Sequence, residues 1–311
     1  MHQFITNDHS SESNKLQLIL NTGMKFNTPF SRINFKQNGK QVFIPLCCWI
    51  VVFIFCFIKI TNAQKDTSSF KWPEGKKAAI SLSFDDARES QVLRGTDLLN
   101  QYGIKATFFV VPSSVEKQLN GWKKAVASGH EIGNHSLNHP CTANFSWSRN
   151  HALEDYTIKE MKSELEECNK RVQELLNVTP TVFAYPCGQK FVGRGVHTKS
   201  YVPLISKMFL LGRGWMDEAA NDPVYCNFAQ LTGVEMDGKN FDQILPLIEE
   251  AVKKGQWLVL AGHEMGDEGP QTTRLTMLKQ LLEYVQNPAN GIWVVPMGTA
   301  AKYIQTQNKS R

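Results

Sequence analysis

From Phe70 onward the chain repeats one pattern: a short, nearly continuous apolar run, a polar or glycine-bearing turn, then a stretch with helical spacing. Strands that are apolar along their whole length are buried on both faces, and strands each followed by a helix form a parallel sheet. The expected strands are 78–84, 105–111, 131–134, 181–184, 209–211, 230–234, 257–260 and 292–295. The expected helices are 91–102, 122–128, 156–176, 241–254, 274–286 and 297–304. Gly103, Gly129 and Gly255 stand where the first, second and fourth of these helices stop. Seven or eight such units suit an α/β barrel better than an open sheet. Barrel active sites collect at the C-terminal ends of the strands, and the chain's polar stretches of interest all fall there.

A hydrophobic fraction of 42% with 20% charged residues is globular composition, ample for one large core. The formal charge of +5 is concentrated at the front. Residues 1–63 hold six Lys/Arg and two Asp/Glu, leaving 28 basic against 27 acidic side chains in the remainder. No basic stripe is left to bind nucleic acid.

Residues 42–58 are apolar throughout, with Lys36 and Lys40 ahead of them and Thr61-Asn62-Ala63 behind. This reads as a signal peptide cleaved after Ala63, and hence as an exported protein. An uncleaved membrane anchor is the alternative reading, because the run is nearly long enough to span a bilayer. Met24 is a second candidate start. The expected organisation is an N-terminal region 1–63, a polar linker 64–69 and one catalytic domain 70–311.

Asp85-Asp86 end the first expected strand. Two adjacent carboxylates at a buried strand end cannot both stay ionised unless a cation or hydrogen bonds compensate them. His135-Ser136-Leu137-Asn138-His139 supplies two imidazoles four residues apart; on a helical turn they would share one face and grip one metal ion. One Asp and two His make a three-ligand set that leaves room for water and substrate. His263 ends the strand 257–260 after Ala261-Gly262 and is a candidate proton donor. His130 and His197 read as turn and loop residues.

Ser83-Phe84-Asp85-Asp86, then His135-x-x-x-His139, then Tyr185-Pro186-Cys187-Gly188, then Leu260-x-x-His263 resemble, in order, the motifs of the polysaccharide deacetylases, the NodB-homology enzymes of carbohydrate esterase family four. The resemblance runs from about Phe70 to Ile304. It implies a distorted (β/α) barrel of seven or eight units. It also implies a divalent metal, most often Zn²⁺, and hydrolysis of acetyl groups on a carbohydrate, either N-acetyl on an aminosugar or O-acetyl. Carried onto this chain, it implies Asp86, His135 and His139 as metal ligands, Asp85 as general base and His263 as general acid. The Cys187 N–H would help hold the oxyanion, and Tyr185 and Trp215 are candidate substrate contacts.

Two positions depart from the family pattern. Ala184 stands where an arginine often orients the base, and Arg213 is the candidate substitute. Trp215-Met216-Asp217 only loosely matches the family's Asp/Trp motif, leaving Asp217 or Asp222 as the candidate partner of His263. Cys141 and Cys187 follow strand ends expected to be neighbours, so they are expected close together, either bridged or as two buried thiols. Two other functions stay open: a metal-dependent amidohydrolase on a small non-sugar amide, and an inactive carbohydrate-binding barrel.

Overall fold

The computed structural model describes residues 70–309 together with residues 36, 37, 40 and 41. The chain divides into two units, Met1–Lys65 and Asp66–Arg311. In the first, Lys36–Gln37 and Lys40–Gln41 pair as a minimal antiparallel ribbon. The apolar run 42–58, the cleavage motif at 61–63 and the linker 64–69 lie outside the described residues. Among the described residues, no helix is long and apolar enough to cross a membrane.

The second unit is built on eight parallel strands: β1 (Ala78–Phe84), β2 (Thr107–Val110), β3 (Glu131–Asn134), β4 (Val182–Ala184), β5 (Leu211–Arg213), β6 (Val234–Glu235), β7 (Trp257–Gly262) and β8 (Ile292–Val294). The sheet runs β6-β7-β1-β2-β3-β4-β5. A bridge between Arg213 and Leu231 joins β5 to the segment leading into β6, so the sheet curls back on itself. The sequence places a strand over 230–234; instead only Leu231 pairs with β5, and pairing with β7 begins at Val234. One segment therefore serves both neighbours in turn.

The distortion is at β1. Its first half pairs with β8, from Ala78↔Ile292 to Ile80↔Val294, and its last residues pair with β2, Ser83↔Thr107 and Phe84↔Phe108. Met297 N–H donates to Thr107 Oγ1 where the seam opens.

Strand pleating sorts β1 between two cores. Ile80, Leu82 and Phe84 pack with Phe108, Val110 and Trp122. Ala79 packs with Phe109, Trp257 and Val259, and with Met297, Ala300 and Ala301 of the last helix, α8 (Met297–Lys309). The remaining inward positions of β1 are serines whose hydroxyls are satisfied: Ser81 Oγ donates to Val295 O and accepts from Trp257 Nε1, and Ser83 Oγ donates to Leu260 O. The small side chain of Ser81 leaves room for the Trp257 indole.

The helices are α1 (Thr96–Gln101), which continues a π-helical turn over Gln91–Gly95, α2 (Pro112–Lys117), α3 (Leu119–Ala127), α4 (Ile158–Leu176), α5 (Val202–Met208), α6 (Phe241–Lys254), α7 (Leu275–Gln286) and α8 (Met297–Lys309). The longest, α4, starts at a capping box: Glu160 N–H donates to Thr157 Oγ1 while Thr157 N–H donates to Glu160 Oε2. It stops where Asn177 turns left-handed, φ 55°.

Candidate active site

Asp85 and Asp86 leave β1 at its C-terminal end. Along an extended strand they would point to opposite sides. Here Asp86 and Ala87 take left-handed conformations, φ 72° and 55°, and the chain bends so that both carboxylates line one cleft. A left-handed non-glycine residue costs about 1–2 kcal/mol, which the surrounding contacts must offset.

His135 follows β3. Its Nδ1 is 2.9 Å from the carbonyl oxygen of Ala184. A carbonyl only accepts, so Nδ1 carries the hydrogen and the Nε2 lone pair faces the cleft. His139 reaches the same place by a route other than the helical turn that the His-x-x-x-His spacing suggests. No helix forms over 135–139; Ser136 and His139 are left-handed, φ 63° and 52°. Ser136 N–H donates to Asn134 Oδ1, and His139 N–H donates to Ser136 Oγ. Side-chain acceptors thus replace helical carbonyls in holding the turn.

Asp86 Oδ1 lies 3.4 Å from His135 Nε2 and 3.2 Å from His139 Nε2. A tetrahedral ion with bonds of about 2.0–2.1 Å would hold its ligands about 3.3 Å apart, so the three donors fit one divalent ion. The other carboxylate oxygen, Oδ2, is taken: Arg88 donates to it through Nε at 3.1 Å and Nη2 at 2.9 Å. His139, Cys141 and Cys187 also approach one another, but the two sulfurs are bonded together and offer no thiolate.

Arg213, at the end of β5, is fully buried. Its Nη2 donates to Asp85 Oδ1 and its Nη1 donates to Gly214 O, with the guanidinium over the Phe109 ring. Burial alone would raise the Asp85 pKa; the charge and hydrogen bond of Arg213, with the charge of His263, outweigh it, and Asp85 stays below the ordinary carboxylate value. Gln91 ties the two sides of the cleft, donating from Nε2 to both Asp85 O and His263 O.

His263 Nδ1 is 2.8 Å from Asp237 Oδ2. Asp237 Oδ1 accepts from the His263 N–H and from Thr273 Oγ1. Burial disfavours the imidazolium, but the Asp237 hydrogen bond and the charges of Asp85, Asp86 and Asp237 prevail, so the His263 pKa is raised. A Cβ on Gly262 would stand 2.1 Å from Thr273 Oγ1 and 2.7 Å from Asp237 Oδ1, so only glycine admits this arrangement beside His263.

Asp237 is the residue that sequence reasoning missed. Neither sequence candidate partners His263: Asp217 Oδ2 accepts from Gly233 N–H, and Asp222 Oδ1 accepts from Val224 N–H. The usable signal was an acid just past Val234-Glu235-Met236, at a strand end like the other site residues.

Tyr185 is not in the cleft. It is buried, its hydroxyl donates to Ala229 O at 2.7 Å, and its ring packs on Phe183 and Tyr201. Trp215 is in the cleft, edge-on to His263 with centroids 4.6 Å apart. Cys187 lines the floor in a left-handed conformation, φ 53°, and is bridged to Cys141 across a Cα–Cα distance of 6.1 Å. His197 is an exposed turn residue. His130 is buried before β3, accepts from Ala106 N–H through Nδ1, and is held neutral by burial and by Lys105, its pKa lowered to about 4.

Residues 73–199 match the family model for polysaccharide deacetylase. Over 149 residues, 46% of this chain, it is 32% identical to a peptidoglycan-N-acetylglucosamine deacetylase of Listeria monocytogenes, of which the match covers 29%. Over 133 residues, 43% of this chain, it is 30% identical to chitin deacetylase 1 of Cryptococcus neoformans, of which the match covers 26%. The chain thus spans under a third of the length of these two curated relatives. Among solved structures, a Mycobacterium smegmatis protein described as a candidate polysaccharide deacetylase superposes with a TM-score of 0.56 at 16% identity, covering 76% of this chain and 93% of that one. At that identity the likeness is one of fold, and it agrees with the curled parallel sheet described above.

Proposed function

From the match of residues 73–199 to the polysaccharide deacetylase family model, we propose that the chain is a metal-dependent hydrolase that removes acetyl groups from N-acetylated aminosugars in a glycan. The observation that carries this is the meeting of three differently tuned groups on one cleft: the Asp86/His135/His139 donor set, Asp85 paired to Arg213, and His263 paired to Asp237. The activities for which the Listeria and Cryptococcus relatives are named point to the same substrate class.

Asp86 Oδ1, His135 Nε2 and His139 Nε2 would hold the ion, and Zn²⁺ suits a carboxylate with two imidazoles, although such a set also accepts other first-row ions. When bound, such an ion lowers the pKa of water and polarises a carbonyl oxygen. Asp85 accepts the proton of the attacking water on Oδ2, the oxygen that Arg213 leaves free. Arg213 keeps that carboxylate ionised and fixes its plane. The backbone N–H of Cys187, which lines the same cleft, would donate to the developing oxyanion. His263 then gives its proton to the leaving nitrogen from Nε2, because Nδ1 is committed to Asp237. An amine leaves poorly unless protonated, and a histidine with a raised pKa is poised to supply that proton at neutral pH.

We place the protein outside the cytosol. The support is the apolar run 42–58 with Thr61-Asn62-Ala63 after it. The Cys141–Cys187 bridge is in keeping with an oxidising compartment.

The test is acetate release across a panel of chitin oligomers, peptidoglycan fragments, acetylated xylan and small non-sugar amides, with metals stripped and re-added singly. Release from N-acetylated glycans, lost on stripping and restored by metal, supports the reading. Release from the small amides alone would overturn it.

A further inference from the structure

Two aromatic side chains beside the donor set are exposed although the loop that carries them is tightly held. Phe145 is 43% exposed and Trp147 is 59% exposed. Their rings stack on each other, centroids 5.3 Å apart at 19°, and Trp147 lies 5.7 Å from the His139 ring. Both line the cleft of about 880 Å³ that contains Asp85, Asp86 and His263.

A loop that merely failed to bury its aromatics would not be fixed so firmly. Ser148, one residue on, is 2% exposed, and its hydroxyl both accepts from Cys141 N–H and donates to Cys141 O. Cys141 is itself bridged to Cys187. Thr142 N–H donates to Gln189 Oε1, and Thr142 Oγ1 and Ala143 N–H both donate to Glu154. These bonds anchor the loop at its base and leave the two rings facing the cleft. A loop held in place before any ligand arrives has less ordering entropy to lose on binding. Flat aromatic faces take up the apolar C–H faces of pyranose rings, and the polar edges of a sugar stay free for the Gln189 and Gln271 side chains, which also line the cleft.

We propose that Phe145 and Trp147 form a stacking subsite for a sugar ring adjoining the one whose acetyl group is removed, so that the enzyme prefers glycan chains over single sugars or short oligomers. Trp147 meets the metal-ligand side of the cleft at His139, ring centroids 5.7 Å apart. Trp215 closes the other side at His263. This inference rests on the deacetylase reading above and adds to it the length of substrate and the residues that sense it.

The experiment compares wild type, Trp147→Ala, Trp147→Phe and Phe145→Ala/Trp147→Ala on β-1,4-linked N-acetylglucosamine oligomers of two to six residues, by acetate release. For wild type, kcat/KM should rise with length. Trp147→Ala should lower it about tenfold or more for the tetramer and hexamer, mainly through KM, and less than about threefold for the dimer. Trp147→Phe should restore most of the loss because it keeps a flat apolar face. Metal content should be unchanged in every variant, which separates a substrate contact from an effect on His139. Equal loss at all lengths, no loss at any length, or lost metal would each overturn the subsite. Wild type that releases no acetate from any of these oligomers would instead overturn the deacetylase reading on which the subsite rests. Quenching of tryptophan fluorescence by the hexamer, in wild type but not in Trp147→Ala, gives a binding readout independent of turnover.

Discussion

Asp237 Oδ2 lies 2.8 Å from His263 Nδ1, and the same carboxylate accepts the His263 backbone N–H through Oδ1. One side chain therefore fixes both the position of this histidine and the ring nitrogen that is left to face the cleft.

Removing that carboxylate should weaken His263 as an acid without removing it. Its raised pKa means that the imidazolium persists above the ordinary histidine value of 6.5, and activity is lost as pH rises through the folded pKa. Asp237→Asn lowers that pKa, so the alkaline limb of the rate profile should move to lower pH. Turnover at pH 8 should fall about tenfold or more for an N-acetyl amide, and much less for an activated aryl acetate whose leaving group needs no proton. An unmoved alkaline limb would remove Asp237 from this role.

Asp85 and Asp86 should fail in different ways. Asp86→Ala takes one of three donors away and should lose bound metal, and activity with it. Asp85→Asn keeps the shape and the metal but cannot accept a proton; turnover should fall roughly a hundred- to ten-thousandfold. Metal analysis alongside acetate release separates the two outcomes. Metal lost from Asp85→Asn and kept by Asp86→Ala would reverse the assignment.

Arg213 is buried together with the carboxylate it serves. Arg213→Ala leaves Asp85 buried and unpaired, so unfolding by urea should show a loss of about 3–5 kcal/mol. Arg213→Lys retains the charge but cannot reach Asp85 Oδ1 and Gly214 O with one planar fork. It should stay folded with a clear drop in turnover, and its acid limb should shift upward as the Asp85 pKa rises toward its ordinary value. Full activity in Arg213→Lys would show that charge alone suffices.

The Cys141–Cys187 bridge joins the loop two residues past His139 to the turn Pro186–Gly188 that follows β4. Cys141→Ser/Cys187→Ser should cost about 2–5 kcal/mol of stability. It should also weaken metal retention in a chelator competition, because His139 is held left-handed in a turn next to the bridge. Unchanged chelator resistance would make the bridge a matter of stability alone.

Much of this was legible along the chain. Continuous apolar runs alternating with helical spacing specify buried parallel strands, because burial on both faces is a local property of each run. The runs at 78–84, 131–134 and 241–254 coincide with β1, β3 and α6. The strand-end residues Asp85, Asp86, His135, His139 and His263 also stood out without coordinates, and the fold brings all five to one cleft. What the sequence could not set was direction and partnership. Tyr185 is one residue past Ala184, and pleat and register alone turn its ring toward Ala229 and away from the cleft. The His135–His139 turn is held by Asn134 and Ser136 side chains, a choice that spacing does not encode. Asp85 finds Arg213 128 residues away, and His263 finds Asp237 rather than Asp217 or Asp222. Those pairings exist only once the segment 231–235 bridges β5 to β7 and the sheet curls shut, for a buried charge can be satisfied only by whatever the closed sheet brings beside it.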